Sequence, residues 1–381
     1  MIKSVSSRNS SVQTGANELQ ARWTKVVGRR SFLAGVGAVG AVLTAGKLAA
    51  NTGRPLPPGD VAILRFLAAA ELIESDLWEQ YNELGGVKGG NAAYKLALEN
   101  LDEDMPQYIA DNTDDELSHA AFLNAYLSFH GANPVDLDEF RTLPSSRATG
   151  ALPLGRLTNL MALNVDTSWY TRYRSRFNPD LGATFPQAVT ISNEPAIPLN
   201  DIDTPPEQPQ PVPPATPRQA RMQAIANTAG FHFAMIEQGG SSLYNCMSLK
   251  VTDPEVLRIV VSIGGVEVNH FAVWHDKAGN AVAQPLAGVT DPETGVTFPD
   301  LNSAPFGGER FQTNLIMPEP RQFIDPRFPA CSVIRPDLTA NAGAVAAVNA
   351  LTTDLLFQGQ TTRFFDTVMA LATAADAAQR G

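Results

Sequence analysis

Residues 264–275 read GGVEVNHFAVWH, and the polar pair inside this apolar run, Glu267 and His270, decides how the chain folds. The run continues a helix that opens at Asp253-Pro254-Glu255: an N-cap residue, a proline at the first helical position and an acid in the first turn. Val256, Val260, Ile263 and Trp274 fall at the four-then-three spacing of a buried helical stripe. Carried through the gap, that stripe lands on Glu267 and His270, so both side chains face the core. An unpaired buried carboxylate costs several kcal/mol, so Glu267 needs a partner. An arginine elsewhere would satisfy the glutamate but would leave the histidine one turn away unexplained.

The same spacing recurs upstream. Residues 115–123 read DELSHAAFL, with Glu116 and His119 three apart in another helical stretch, so these pairs use two of the chain's five histidines. Two further acids lie on apolar helical stripes. Glu237 has Phe233 four residues before it and Tyr244 seven after, and Glu71 has Leu64 and Leu67 before it and Trp78 seven after. Aligning Glu71–Trp78 with Glu237–Tyr244 matches the glutamate, Ser75 with Ser241, Leu77 with Leu243, and a terminal aromatic. The chain is thus an internal repeat of two helix pairs, each contributing one Glu and one Glu-x-x-His.

Six such residues in this order resemble the ferritin-like superfamily, and most of all its exported members related to desiccation-related proteins. The motifs that carry the resemblance span roughly residues 58–131 and 216–279. It implies an all-α fold: a ferritin-like four-helix bundle with one long crossover, to which this chain adds long loop insertions and a C-terminal helical extension. It also implies a site for two iron or manganese ions held by Glu71, Glu116, His119, Glu237, Glu267 and His270. By the family pattern Glu116 and Glu267 bridge, Glu71 and Glu237 are terminal, and each histidine binds one metal. Carboxylates with imidazoles suit iron or manganese better than copper. Four negative charges also balance two divalent cations. Glu74, one turn on from Glu71, is an alternative ligand or a supporting group, although the repeat aligns it with Gly240. Tyr244 is either a hydrogen-bond donor behind the ligands or ordinary core, and Trp78 and Trp274 are read as packing. His130 closes a helix before Gly131, and His232 and His275 fall off the ligand stripe as surface or packing residues.

The third helix is expected to end near Lys250 and the fourth to start at Asp253. Glu237 and Glu267 then both lie about 20 Å from the turn, level in an antiparallel pair. The same register sets Gly239 and Gly240 opposite Gly265 and Gly264, for close packing, an access channel or a π-bulge at Gly239. Helices are expected over residues 60–84, 92–100 and 105–130. The segments are 51–131 for the first helix pair, 132–215 for a crossover ending in proline-rich TPPEQPQPVPPATP, and 216–279 for the second pair. Residues 280–339 read as wrapping loops with a short hairpin near Gly288–Phe298, and 340–381 as one broken helix docked outside the bundle. These additions depart from a minimal ferritin and argue against a storage cage, leaving a smaller homo-oligomer open.

Residues 1–50 read as a twin-arginine signal. Gly28-Arg29-Arg30-Ser31-Phe32-Leu33 precedes a weakly apolar run too short to span a bilayer comfortably. A translocase partner and a periplasmic or extracytoplasmic location follow as expectations. The segment carries seven of the 28 basic and one of the 39 acidic side chains, leaving 21 and 38, a net charge of −17. So acidic a protein does not grip nucleic acid or an anionic membrane. Cys246 and Cys331 either pair as a disulfide or stay free. With six ligands retained, a dimetal oxidoreductase acting on a small-molecule oxidant (dioxygen or peroxide) or on Fe(II) is the leading expectation. A metal-binding or stress-protective protein with little turnover is the alternative. A pure scaffold would need none of the six.

Overall fold

The computed structural model describes residues 53–169, 187–205, 211–278, 283–301, 303, 320, 322–333 and 343–381. Residues 1–50, read above as a twin-arginine signal, and the proline-rich residues 206–210 lie outside them. Arg54–Gly381 forms one compact unit.

Seven helices are present among the described residues: α1 (Pro58–Gly85), α2 (Ala92–Glu99), α3 (Met105–Phe129), α4 (Pro217–Ser248), α5 (Pro254–Ala278), α6 (Ala344–Thr353) and α7 (Thr362–Asp376). α1 packs along α3, and α4 packs along α5. Each pair is a helical hairpin and the two are joined by the long crossover, so the helices that the stripes predicted form the all-α crossover bundle that the resemblance implied. Local chemistry sets the boundaries. The Thr216 hydroxyl accepts from the Gln219 N–H while the Gln219 side chain accepts from the Thr216 N–H, a reciprocal cap that starts α4. Gly131, at φ +73°, lets the chain leave α3 in the left-handed region. The Asp60 carboxylate in the first turn of α1 accepts from the Thr252 and Asp253 N–H groups at 2.9 and 2.7 Å, fastening the α4–α5 turn to the first helix.

The crossover is more structured than its sequence suggested. It holds a 3-10 turn (Asp138–Phe140) and a two-stranded antiparallel sheet, β1 (Leu163–Val165) with β2 (Ile191–Glu194). These strands are too short for any alternating pattern to stand out from the loop around them. Buried polar groups bind the crossover to α1. Asp76 accepts from the Leu157 and Thr158 N–H groups, each at 2.9 Å, and from Arg141 at 2.6 Å. Buried Arg156 donates to both carboxylate oxygens of Glu83 at 2.6 Å. In the loop region an antiparallel bridge joins Thr290 to Thr297, at the place expected for a hairpin. Arg221 of α4, in contact with Asp203 and Asp291, holds that loop and the end of the crossover against the bundle.

The C-terminal region is two helices, because the chain turns at Leu355 (φ +66°) and Gly359 (φ +94°). α7 packs on α1, and α6 meets both α7 and α4. Asp376 pins the two together: its carboxylate accepts from the Ala344 and Val345 N–H groups at the start of α6 and from Lys250 at 3.1 Å. Cys246 is half-buried and Cys331 exposed, and no disulfide joins them.

Candidate metal centre

The long helices each bring one carboxylate or one Glu-x-x-His pair to the middle of the bundle. Glu71 comes from α1, Glu116 and His119 from α3, Glu237 from α4, and Glu267 and His270 from α5. The i, i+3 spacing puts glutamate and histidine on the same side of α3 and of α5. Glu71, Glu116, His119 and Glu267 form one group, and Glu116, Glu237, Glu267 and His270 a second; within each, one ligand atom per residue lies within 4.8 Å of all the others. Glu116 and Glu267 belong to both. His119 Nδ1 lies 3.1 Å from Glu116, 3.4 Å from Glu71 and 3.5 Å from Glu267. His270 Nδ1 lies 3.0 Å from Glu116 and 3.3 Å from Glu237. All four glutamates are at most 1% exposed, and the histidines 8% and 9%.

Without cations this cluster is electrostatically uneasy. Burial pushes the Glu116 carboxyl up to about 7, even though both histidines bond to it. Burial, together with the charges of Glu116, Glu74 and Glu71, lifts Glu267 well above the usual carboxylate range. For Glu71 burial pulls the same way, but the hydrogen bond and charge of His119 outweigh it and hold the carboxyl low. Burial alone would lower His119; the bonds and charges of Glu116 and Glu71 instead push it up to about 10. His270 is raised too, by Glu237, Asp115 and Glu116 against its own burial. The surrounding carboxylates thus favour the protonated form of both imidazoles. Glu71 Oε2, Glu237 Oε2, both oxygens of Glu267 and His270 Nδ1 are nevertheless buried without a well-aligned hydrogen bond; most meet only a charge contact of 3.0–3.5 Å. Those orphaned atoms all belong to the two groups. Hard oxygen donors, borderline nitrogens and four carboxylates fit a pair of divalent cations. The two clusters are consistent with a dimetal site.

Supporting side chains hold the donors in place. Tyr244 donates to Glu71 Oε1, which makes it a hydrogen-bonding residue rather than plain core. Asn112 Nδ2 donates to Glu116 at 2.8 Å and Glu237 at 2.9 Å, while its carbonyl accepts from Trp274 Nε1 at 2.6 Å. Asp115 accepts from His270 Nε2 at 3.0 Å, leaving Nδ1 for the cluster. Sequence reasoning missed Asn112 and Asp115. Asn112 stands four residues before Glu116 on the same helical face, a signal that was available; Asp115 stands beside Glu116 inside the quoted motif. Trp78 stacks on Trp274 at 5.2 Å and packs against Phe233 at 4.9 Å, an apolar wall beside the carboxylates.

Glu74 joins neither group. Of the facing glycines, Gly240 and Gly264 are the close approaches. A β-carbon on Gly240 would fall 2.3 Å from Glu267 Oε2, and one on Gly264 would fall 2.7 Å from Tyr244 Cβ, whereas Gly239 and Gly265 have open space. α4 runs as an unbroken α-helix through Gly239, so there is no π-bulge there. His232 and His275 are buried, not at the surface. His232 bonds to the Tyr81 hydroxyl at 2.7 Å, and burial pushes its pKa down to about 3, so it is neutral. His130 sits at the C-cap of α3 and donates from Nδ1 to the Arg54 carbonyl at 2.7 Å.

Glu267→Ala removes a carboxylate common to both clusters. Elemental analysis of that variant should show the metal content falling from two ions per chain to one or none, and unchanged stoichiometry would refute the site. Metal uptake should also release protons. His119, charged at neutral pH in the metal-free protein because its pKa is raised to about 10, must lose its proton to bind an ion. Affinity for Mn²⁺ should therefore rise between about pH 6 and 9, by about tenfold per unit for each proton displaced. Calorimetry in buffers of different ionisation enthalpy counts those protons, and a pH-independent affinity would contradict the picture.

No curated protein and no solved structure matches the chain. A family described as Ferritin-like domain matches residues 59–280, which spans all four long helices and all six clustered side chains. Fold, clusters and match agree, and the chain belongs to the ferritin-like domain family.

Proposed function

We propose that this protein is an exported dimetal carboxylate oxidoreductase that holds two iron or manganese ions and acts on dioxygen, peroxide or Fe(II). The observation that carries the reading is the pair of clusters sharing Glu116 and Glu267. In this assignment Glu116 and Glu267, common to both clusters, would help hold both ions. Glu71 with His119 completes one coordination set, and Glu237 with His270 the other. When bound, two adjacent redox metals supply two electrons to one dioxygen or peroxide molecule.

The chain's own residues make that chemistry manageable. Four carboxylates neutralise four positive charges, so the bundle interior stays near neutral. Tyr244 restrains Glu71, Asn112 restrains Glu116 and Glu237, and Asp115 fixes the His270 tautomer, so the donors are preorganised. The Trp78–Trp274–Phe233 wall keeps bulk water away on one side. Arg29-Arg30 and the apolar run after them support export by the twin-arginine route, which carries folded proteins and so suits a metal loaded before release.

Protein purified with iron or manganese should decompose hydrogen peroxide or oxidise Fe(II), with Glu267→Ala reducing the rate at least a hundredfold. Two bound ions without turnover would instead identify a metal-holding, stress-protective protein. Changing Arg29 and Arg30 both to lysine should retain the protein in the cytoplasm on cell fractionation; undiminished export would remove the twin-arginine assignment.

A further inference from the structure

Beside the carboxylate cluster lies a cavity of about 70 Å³ that the metal site does not use. Its walls come from α1, α4 and the C-terminal extension: Ile73 and Leu77, Ile236 and Leu243, Val348 and Leu351 are representative. Apart from Glu74, every side chain on the lining is apolar. About 10–15 Å³ of such space holds one water, so the cavity takes roughly five water-sized groups, but it offers water almost no partners. An apolar chamber with so few polar groups is better suited to an organic molecule.

Three observations connect the chamber to the cluster. Gly240 lines it, and a β-carbon on Gly240 would collide with Glu267 Oε2, so one shared carboxylate lies directly behind the wall. Glu74 also lines it and lies close enough to Glu71, Glu116 and Glu237 to feel their charges. Glu74 Oε1 is buried with no hydrogen-bond partner, although the carboxyl borders the chamber. The internal repeat gives the fourth hint. Leu77 and Leu243 are its equivalent leucines and both line the chamber, and Glu74 is the equivalent of Gly240. The two halves of the bundle therefore present matched apolar walls and one unmatched polar group.

The outer wall is the added part of the chain. A four-helix bundle needs no α6 or α7 to assemble its carboxylates, yet these helices are fastened by Asp376 to α6's first turn and to Lys250. The geometry points to a binding chamber for a small apolar molecule, an alkyl chain of about five carbons bearing one hydrogen-bonding group that meets Glu74. This names the substrate class of the proposed dimetal site and rests on that reading for the occupant's fate, though not for its binding.

The test is titration of 1-pentanol into the purified full-length protein, followed by ligand-observed NMR, with metal content measured on the same samples. Wild type should show saturable one-to-one binding, with Kd of about 1 mM for a buried five-carbon chain. Gly239→Leu projects into the chamber from α4, where a β-carbon meets nothing within 4 Å, and it raises helix propensity. Leu351→Trp fills it from α6. Each should weaken pentanol at least tenfold while leaving the metal content at the wild-type value. Equal affinity in wild type and both variants, or no saturable binding to wild type, overturns the chamber. Two ions without pentanol binding overturns the chamber and leaves the metal reading intact. Pentanol binding that both variants lose, in protein that takes up no ions, supports the chamber and removes the metal reading instead.

Discussion

Four glutamates within a few ångströms of one another, all buried, cannot remain ionised unless something positive stands between them. Much of this structure answers that constraint. Protonated His119 and His270 supply part of the positive charge, and Glu116 and Glu267 rise toward neutrality where no imidazole suffices. The orphaned oxygens that remain mark the deficit that a pair of cations would make good. Such a cluster adds nothing to the hydrophobic core, and apolar residues of similar volume would stabilise the bundle more. Its presence in a chain of the ferritin-like domain family therefore bears on function rather than on stability.

The internal repeat shows how the constraint is met. Glu71 and Glu237 are equivalent, as are the two Glu-x-x-His pairs, so each half contributes one set of donors and the shared carboxylates join the sets. The halves then diverge where support is needed. Tyr244 reaches across to Glu71, whereas its counterpart Trp78 stacks on Trp274. Gly240 makes room for Glu267, whereas its counterpart Glu74 keeps a carboxyl at the edge of the apolar chamber. The symmetry belongs to the ligands, and the asymmetry belongs to what surrounds them.

Much of this was legible before any coordinates. Period-3.6 stripes and caps placed the long helices within a residue or two, because proline, Thr216 and Gly131 act locally on the backbone. The six clustered residues were legible because a polar side chain on an apolar stripe must face the core. Asn112 was harder, since an asparagine on a helix has many bland explanations and its partners Glu237 and Trp274 lie far away in sequence. The β1–β2 pairing was not legible, since strands of three and four residues carry too little pattern. Tyr244 could not be settled either: whether a buried tyrosine finds an acid depends on a helix more than a hundred residues distant.

The sequence by itself determined which side chains must be buried and at what helical phase, because hydrophobic periodicity and the cost of an unpaired buried charge are properties of each segment alone. It thereby placed the helices and set the candidate acids and histidines on their buried faces, while the meeting of six of them between the helix pairs was what the ferritin-like resemblance implied. Only the tertiary structure decided who stands next to whom: the distances among the carboxylates, the direction in which each pKa shifts, the glycine over which Glu267 lies, and the cavity that α6 and α7 help to wall. Those depend on how separate helices pack, and packing is fixed by contacts between residues that no local pattern connects.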